Sequence, residues 1–357
     1  MRRACSHAGI KGKESGVLKH FGNHYFSTFF SHIYVENSII NHPRTKRILE
    51  KYPAASVIEI SHYKDVFCRR GQNYLLQHQS QNLILARKEG NLIYQGAPVC
   101  QSFGNEFFYY ASCIMNCIFD CEYCYLKGMY PSANIVVFVN IEDIFNELEK
   151  LLAEHPVYLC VSYDTDLLAL EQAAGYAKEW CRFAAGCADR LNIEIRTKYA
   201  GKQFFIEQEP LPGVIYAFTL SPQKVIEAYE HGTPSLAQRI DCAAWAVRLG
   251  HQVRLCFDPM IYLKGWQECY AAMMDEVLYR IDLEKIVDVS VGTFRISQDY
   301  LKKMRKQEPD SVVAWFPYQN DQGYYHYPDE LMERMERQLV GRLKERIPME
   351  KIFLWRE

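Results

Sequence analysis

The chain lacks any apolar run close to the roughly 18 residues that a membrane-spanning helix requires, so no membrane partner is expected. It lacks a readable secretory leader as well. Arg2 and Arg3 open the sequence, but no apolar stretch precedes Lys11 and Lys13. An excess of charge of one sign is also missing. Lys and Arg number 41 against 43 Asp and Glu, a net charge of −2, so the balance does not advertise a nucleic-acid binder. Any DNA contact must come from a local patch. The 13 cysteines are not the even set of a short disulfide framework, and reduced thiols in a cytosol are the natural inference.

What the chain has is length and apolar content. With 357 residues at 49% hydrophobic it can bury a large core, and a single α/β barrel would be ordinary at this size. Its organising stretch is Cys117-Ile-Phe-Asp-Cys121-Glu-Tyr-Cys124, three thiols at C-x3-C-x2-C spacing. Tyr125 follows directly and Cys113 lies four residues before. Three thiolates on one short loop can hold three irons of a [4Fe–4S] cluster and leave the fourth without a protein ligand. An open iron can bind and cleave a small molecule rather than only carry electrons. Other readings stand beside this one. Cys113 could complete a zinc site, giving a metal-stabilised nucleic-acid-binding protein without catalysis. Cys121 and Cys124 alone would make a redox pair, which leaves Cys117 unexplained. Burial as small hydrophobes suits Cys242 and Cys256 better than a loop carrying Asp120 and Glu122.

Residues 1–28 mix Gly, His, Lys and Ser without period and read as a disordered extension. Residues 29–105 read as a small N-terminal α/β layer. Its expected elements are strands 31–35 and 56–60, a helix after Pro43, and a hairpin of 83–86 with 92–94 across Gly90-Asn91. Within it, Cys68 sits beside Arg69 and Arg70, cations that favour a thiolate. From 106 to 300 strand and helix alternate. Strands at 107–112, 157–161, 191–195, 214–220, 253–257 and 286–291 predict a parallel sheet curled into an incomplete (β/α)6 barrel, with an additional strand at 135–139. The loops after such strands hold the chemistry. Here they carry the cysteines, Asp164 to Asp166, Arg196 to Lys198, Thr219 to Ser221 and Asp258 to Met260. Residues 301–357 are expected to form a β-hairpin around Asn320 to Gly323 and a helix, packed on the barrel.

The cysteine motif with its neighbouring tyrosines is similar to the signature of radical S-adenosylmethionine (SAM) enzymes. An ordered set of segments is more specific and resembles the spore photoproduct lyases. The set comprises Cys117 to Leu126, Ile135 to Asn140, Arg196-Thr-Lys-Tyr199, His231-Gly-Thr-Pro-Ser235, Pro259 to Tyr262 with Gly265-Trp266, and the tyrosine-rich hairpin. The likeness runs from about residue 31 to the end, and rests on order and spacing together. It implies a radical-SAM barrel, a [4Fe–4S] cluster and S-adenosylmethionine. It also implies UV-damaged DNA as substrate, with 5-thyminyl-5,6-dihydrothymine reverted to two thymines through a 5′-deoxyadenosyl radical. An electron donor such as flavodoxin or ferredoxin, a monomer, and a cytoplasmic setting in the spore core or germinating cell follow from the same resemblance. Carried over residue by residue, Cys117, Cys121 and Cys124 are the iron ligands. Tyr123 and Tyr125 sit by the cofactor and assist hydrogen transfer, Lys198 meets the methionyl carboxylate, and Thr219 stands where a serine is common. A radical-SAM enzyme with another substrate would share the motif but not the set.

Two departures matter. Bacillar members place a hydrogen-donating cysteine before Thr-Ser-Asp at the end of the second strand; here the run is Tyr163-Asp-Thr-Asp166. Strand alternation predicts that Cys160 points away from Tyr163, which leaves Cys68 as the expected donor, with Tyr123 and Tyr125 as its relay. The bacillar hairpin also carries an Arg-Tyr pair, where this chain has Pro317-Tyr318. Arg69, Arg70, Lys202 and Lys302 are the expected phosphate contacts.

Overall fold

A computed structural model describes residues 30–97 and 100–355; the extension expected over 1–28 lies outside them. Long apolar runs fix the main sheet. Val214–Thr219 and Asp288–Thr293 are buried at every position, as strands covered on both faces must be. In space the order is Ile93–Gln95, Phe108–Ala111, Val157–Cys160, Leu191–Thr197, Val214–Thr219, Gln252–Met260, Asp288–Thr293 and Ile352–Leu354. Every pairing from Phe108–Ala111 onward is parallel, and Ile93–Gln95 adds an antiparallel edge. The two ends of this order are not paired to each other, which makes the barrel incomplete. Helices Ile141–Glu154, Tyr176–Ala185, Lys202–Glu207, Leu236–Arg248 and Trp266–Arg280 connect the strands. Ser235 and Gln238 close a capping box on the fourth of these, just after Pro234.

A second sheet joins Ser56–Ile60, His32–Glu36, Leu83–Ala86 and Ile135–Phe138 in parallel, with Ile114–Met115 antiparallel at its edge. The expected hairpin of 83–86 with 92–94 therefore does not form. Leu83–Ala86 is wholly buried between two parallel partners, while Ile93–Gln95 pairs with Phe108–Ala111. The turn signal at Gly90 is real, with φ +74°, but it joins strands of different sheets. The strand at 135–138 belongs to this layer too, although it follows the cysteines in sequence. One apolar core runs through both sheets, from Ile33, Leu83 and Val137 to Leu159, Ile193 and Val253. Asn140 bonds across that junction: its side chain accepts from Lys88 N at 2.8 Å and donates to Lys88 O at 3.0 Å, so it does not cap its own helix.

The helical stretch between Val157–Cys160 and Leu191–Thr197 is broken. Gly175, at φ +76°, ends a turn at Glu171–Ala174 and starts Tyr176–Ala185. At the C-terminal end, Gln319–Asp321 and Tyr324–His326 form the hairpin across Gln322-Gly323, both at positive φ as a tight hairpin turn demands. Arg295–Ser297 adds a third strand. A helix not expected from the sequence, Gln298–Gln307, is capped by Ser297 and lies against Leu126–Met129 just beyond the cysteines. Asp329–Leu343 is the closing helix.

Candidate active site

The cysteine loop leaves the first barrel strand and is fixed by backbone pairing. Cys121 pairs with Glu230 and Asp120 with His231 in a short antiparallel ladder, and Glu122 N donates to Tyr229 O at 2.9 Å. His231 Nε2 lies 3.0 Å from Glu122 Oε1. Behind the loop, the buried Lys127 donates to both Asp120 and Glu308. Burial opposes its charge, but the two carboxylates outweigh that and raise its pKa.

Cys117, Cys121 and Cys124 all line one cavity of about 540 Å³ at the carboxyl ends of the strands, a volume suited to a cofactor with part of a substrate. Burial pushes all three thiols up, Cys121 to about 12, while Lys198 acts in the opposite direction on Cys121 and Cys124. Phe119 N donates to Cys117 Sγ at 3.4 Å. Cys113 is fully buried in the inter-sheet core and takes no part in the cavity wall, so the four-cysteine zinc arrangement does not form. Among the described residues no three His, Cys, Asp or Glu side chains gather tightly enough to hold a single metal ion. Three thiols on one cavity wall fit a polynuclear cluster, in which each iron takes one sulfur.

Beside them stands a buried network of charges. The Tyr123 hydroxyl donates to Glu230, which also accepts from Ser221 Oγ at 2.7 Å and from Arg239. Burial alone would raise the Glu230 carboxyl, but Arg239 and Lys198 hold it down at about 2. Lys198 Nζ lies 5.6 Å from the Tyr123 ring centroid. Burial opposes the Lys198 charge, yet Cys121 and Glu230 raise its pKa overall. Asp166 places that lysine, accepting from Lys198 N at 2.6 Å and Thr197 Oγ1 at 2.7 Å. Thr219 lines the same cavity, and its carbonyl accepts from Arg239 at 3.3 Å.

On the opposite side of the motif, the Tyr125 hydroxyl donates to the Tyr163 carbonyl. Tyr163 stacks on Tyr110 with centroids 4.2 Å apart, and its hydroxyl is 3.8 Å from Cys100 Sγ. The structure thus brings Tyr123, Tyr125, Lys198, Thr219 and the three motif cysteines to one cavity. It does not bring Cys68 there. Cys68 ends the short helix Lys64–Phe67, is exposed, and is not part of the cavity wall. Cys160 lines the cavity together with Tyr163, against the expected alternation. The strand ends at Cys160, and the chain leaves extended geometry before Tyr163.

The sequence reading missed Cys100, Arg295 and Tyr324. Arg295 faces the cavity paired to Asp258 at 2.8 Å, and Tyr324 of the hairpin reaches the same wall. Tyr318 instead packs among Phe294, Phe316 and Tyr327.

An incomplete parallel barrel that carries a three-cysteine loop after its first strand defines the radical S-adenosylmethionine class. Within that class, the chain belongs to the spore photoproduct lyase family, whose model matches residues 29–355. The spore photoproduct lyase of Geobacillus sp. (strain Y412MC61) is 24% identical over 195 residues, 54% of this chain and 56% of that protein. The chain therefore aligns with little more than half of that relative's length. The Bacillus subtilis (strain 168) enzyme is 19% identical over 282 residues, 77% of this chain and 80% of its own. A solved structure of a spore photoproduct lyase mutant with bound AdoMet and dinucleoside spore photoproduct superposes at a TM-score of 0.78. It is 19% identical and covers 92% of this chain and 99% of its own. A second, complexed with the dinucleoside alone, also reaches 0.78, at 18% identity, 92% of this chain and 98% of its own. These likenesses establish the fold.

Proposed function

We propose that this protein is a radical-SAM carbon–carbon lyase that reverts the thymine dimer 5-thyminyl-5,6-dihydrothymine in UV-damaged DNA to two thymines. The observation that carries this reading is the meeting of the motif cysteines, Lys198, Tyr123 and Tyr125 around one cavity at the strand ends. Cys117, Cys121 and Cys124 would hold a [4Fe–4S] cluster. When bound, the cluster and S-adenosylmethionine supply a 5′-deoxyadenosyl radical, able to take a hydrogen atom from C6 of the dihydrothymine.

The chain's own residues bind, orient and exclude water. Lys198 is buried and cationic, and its ammonium would meet the methionyl carboxylate beside the cysteines. Thr219 offers a hydroxyl on the same wall. Glu230 stays ionised, keeps Arg239 paired, and locks the Tyr123 ring against the loop. Tyr125 joins the cofactor side of the cavity to Tyr163. The helix Gln298–Gln307 and the hairpin cover the cysteine loop from outside. A low-potential one-electron donor such as flavodoxin or ferredoxin, a monomeric state and a cytoplasmic setting in the spore core or germinating cell belong to the same reading. Among the described residues no helix is long and apolar enough to cross a membrane.

The test is anaerobic reconstitution with iron and sulfide, then incubation with reductant, S-adenosylmethionine and the dinucleotide lesion. Release of thymidine dinucleotide that depends on S-adenosylmethionine supports the reading. Cleavage of S-adenosylmethionine with the lesion untouched would leave a radical-SAM enzyme acting on another substrate.

A further inference from the structure

Atom counting sets the question. If the proposed lesion loses a hydrogen atom and its inter-thymine carbon–carbon bond then breaks, one thymine leaves complete. The other leaves as a radical on its methyl carbon. One hydrogen atom must be returned to it, and a thiol is suited because its S–H bond is weaker than the C–H bond formed.

We infer that Cys100 returns this hydrogen atom and that Tyr163 is its relay partner, an assignment that rests on the function proposed above. Both side chains line the cavity, and the thiol lies 3.8 Å from the Tyr163 hydroxyl, within hydrogen-bond reach for sulfur. Tyr163 is held from two sides. Tyr110 stacks on its ring at 4.2 Å with the planes 24° apart, and its carbonyl accepts from Tyr125. The thiol is therefore joined through one residue to the tyrosine directly after the last motif cysteine. Cys160 shares the cavity, but it is more deeply buried and sits beside Glu194 rather than a hydroxyl. Burial also keeps the Cys100 thiol protonated, the form that can give a hydrogen atom.

The step balances as follows. The Cys100 S–H bond breaks, the methyl C–H bond of thymine forms, and the unpaired electron stays on sulfur. The Tyr163 O–H bond then breaks, S–H re-forms, and the unpaired electron moves to the phenolic oxygen. One electron from the low-potential donor and one proton from solvent restore the phenol.

The experiment runs the reconstituted enzyme on the dinucleotide in deuterated water and reads the product by mass spectrometry. Exchange of the thiol predicts one deuterium in the product methyl group, in the wild type and in Cys68→Ala. Cys100→Ala should still cleave S-adenosylmethionine when the lesion is present, but lose the mono-deuterated product in favour of adducts with the reductant. Tyr163→Phe should keep the deuterium in the first turnover and slow the later ones. A second readout needs no cluster. In the cluster-free protein, the dinucleotide should slow alkylation of Cys100, identified by peptide mass, and leave Cys68 unchanged. Clean mono-deuterated thymine from Cys100→Ala, or its loss from Cys160→Ala instead, would overturn the assignment while leaving the reaction intact. A lesion untouched by the wild-type enzyme would overturn the reaction itself and this role with it.

Discussion

The Tyr123 hydroxyl donates to the Glu230 carboxylate, and this bond ties the cysteine loop to the segment after the fourth barrel strand. Arg239 meets the same carboxylate from the following helix. Charge, loop and helix therefore share one buried point.

Glu230→Gln should leave Arg239 with no carboxylate partner at this point, and breaking a buried pair in this way costs about 3–5 kcal/mol. The sign of its pH dependence follows from the folded pKa of about 2, below the usual 4.5. A depressed carboxyl contributes its stability above the unfolded value and loses it as pH falls through the folded one. The gap between wild type and Glu230→Gln should be constant from neutral pH down to about 5 and close towards pH 2. Denaturant titrations across that range check it; a gap that widened on acidification would remove Glu230 from the role.

Ligand identity is tested by colour and iron count. Cys117→Ala, Cys121→Ala and Cys124→Ala should each lose the iron–sulfur absorption and the cleavage of S-adenosylmethionine. Cys113→Ala should keep both, because that thiol is packed in the inter-sheet core. Its cost should be confined to stability. Iron retained by Cys117→Ala and lost by Cys113→Ala would reverse the assignment.

Much of this arrangement was legible because it is local. Apolar runs such as Val214–Thr219 announce buried strands, and Ser235 with Gln238 announces a helix start. The cysteine spacing identifies its loop without any fold. What stayed hidden depends on distant partners. Nothing in Ile135–Phe138 or Leu83–Ala86 says which sheet it joins, since any buried parallel strand reads alike. Gln298–Gln307 buries only Leu301 and Met304, too few to reveal a helix among its charges. Cys100 has no motif spacing, and its place beside Tyr163 arises only when the loop folds over the strand ends. Cys68 carried the stronger local signal, two neighbouring arginines, and lies elsewhere.

Gly128 tests the seat of the cysteine loop. A Cβ there would come within 2.5 Å of the Tyr300 carbonyl oxygen, which is backbone and cannot swing aside. Gly128→Ala should therefore push the helix Gln298–Gln307 away, with an overpacking cost of about 1–3 kcal/mol. Thermal unfolding measures the loss. Limited proteolysis should show earlier cleavage near residues 298–307. A variant as stable as wild type would show that the two helices part without cost.

The last prediction concerns how a lesion is held. The hairpin's first strand, Gln319–Asp321, is polar and exposed, whereas Tyr324 reaches from its second strand to the cavity wall. Tyr318, at the place of the bacillar Arg-Tyr pair, is tied down within an aromatic cluster and donates to Val313 O at 2.8 Å. The hairpin aromatic on the cavity wall is therefore Tyr324, which pairs across the strands with Ser297, and Arg295 lines the same cavity. Stacking of one base on an aromatic is worth about 1–3 kcal/mol. Tyr324→Ala should weaken binding of lesion-containing duplex by roughly five- to 150-fold at constant salt, at 1.4 kcal/mol per factor of ten. Binding of the free dinucleotide should fall by a similar factor, since the same base stacks on Tyr324 in both. Tyr318→Phe should leave both nearly unchanged, because its ring packing survives. Fluorescence anisotropy with lesion-bearing and undamaged duplexes separates the cases. An equal loss on both duplexes would make Tyr324 a general DNA contact, and no loss on either would take the hairpin out of lesion recognition.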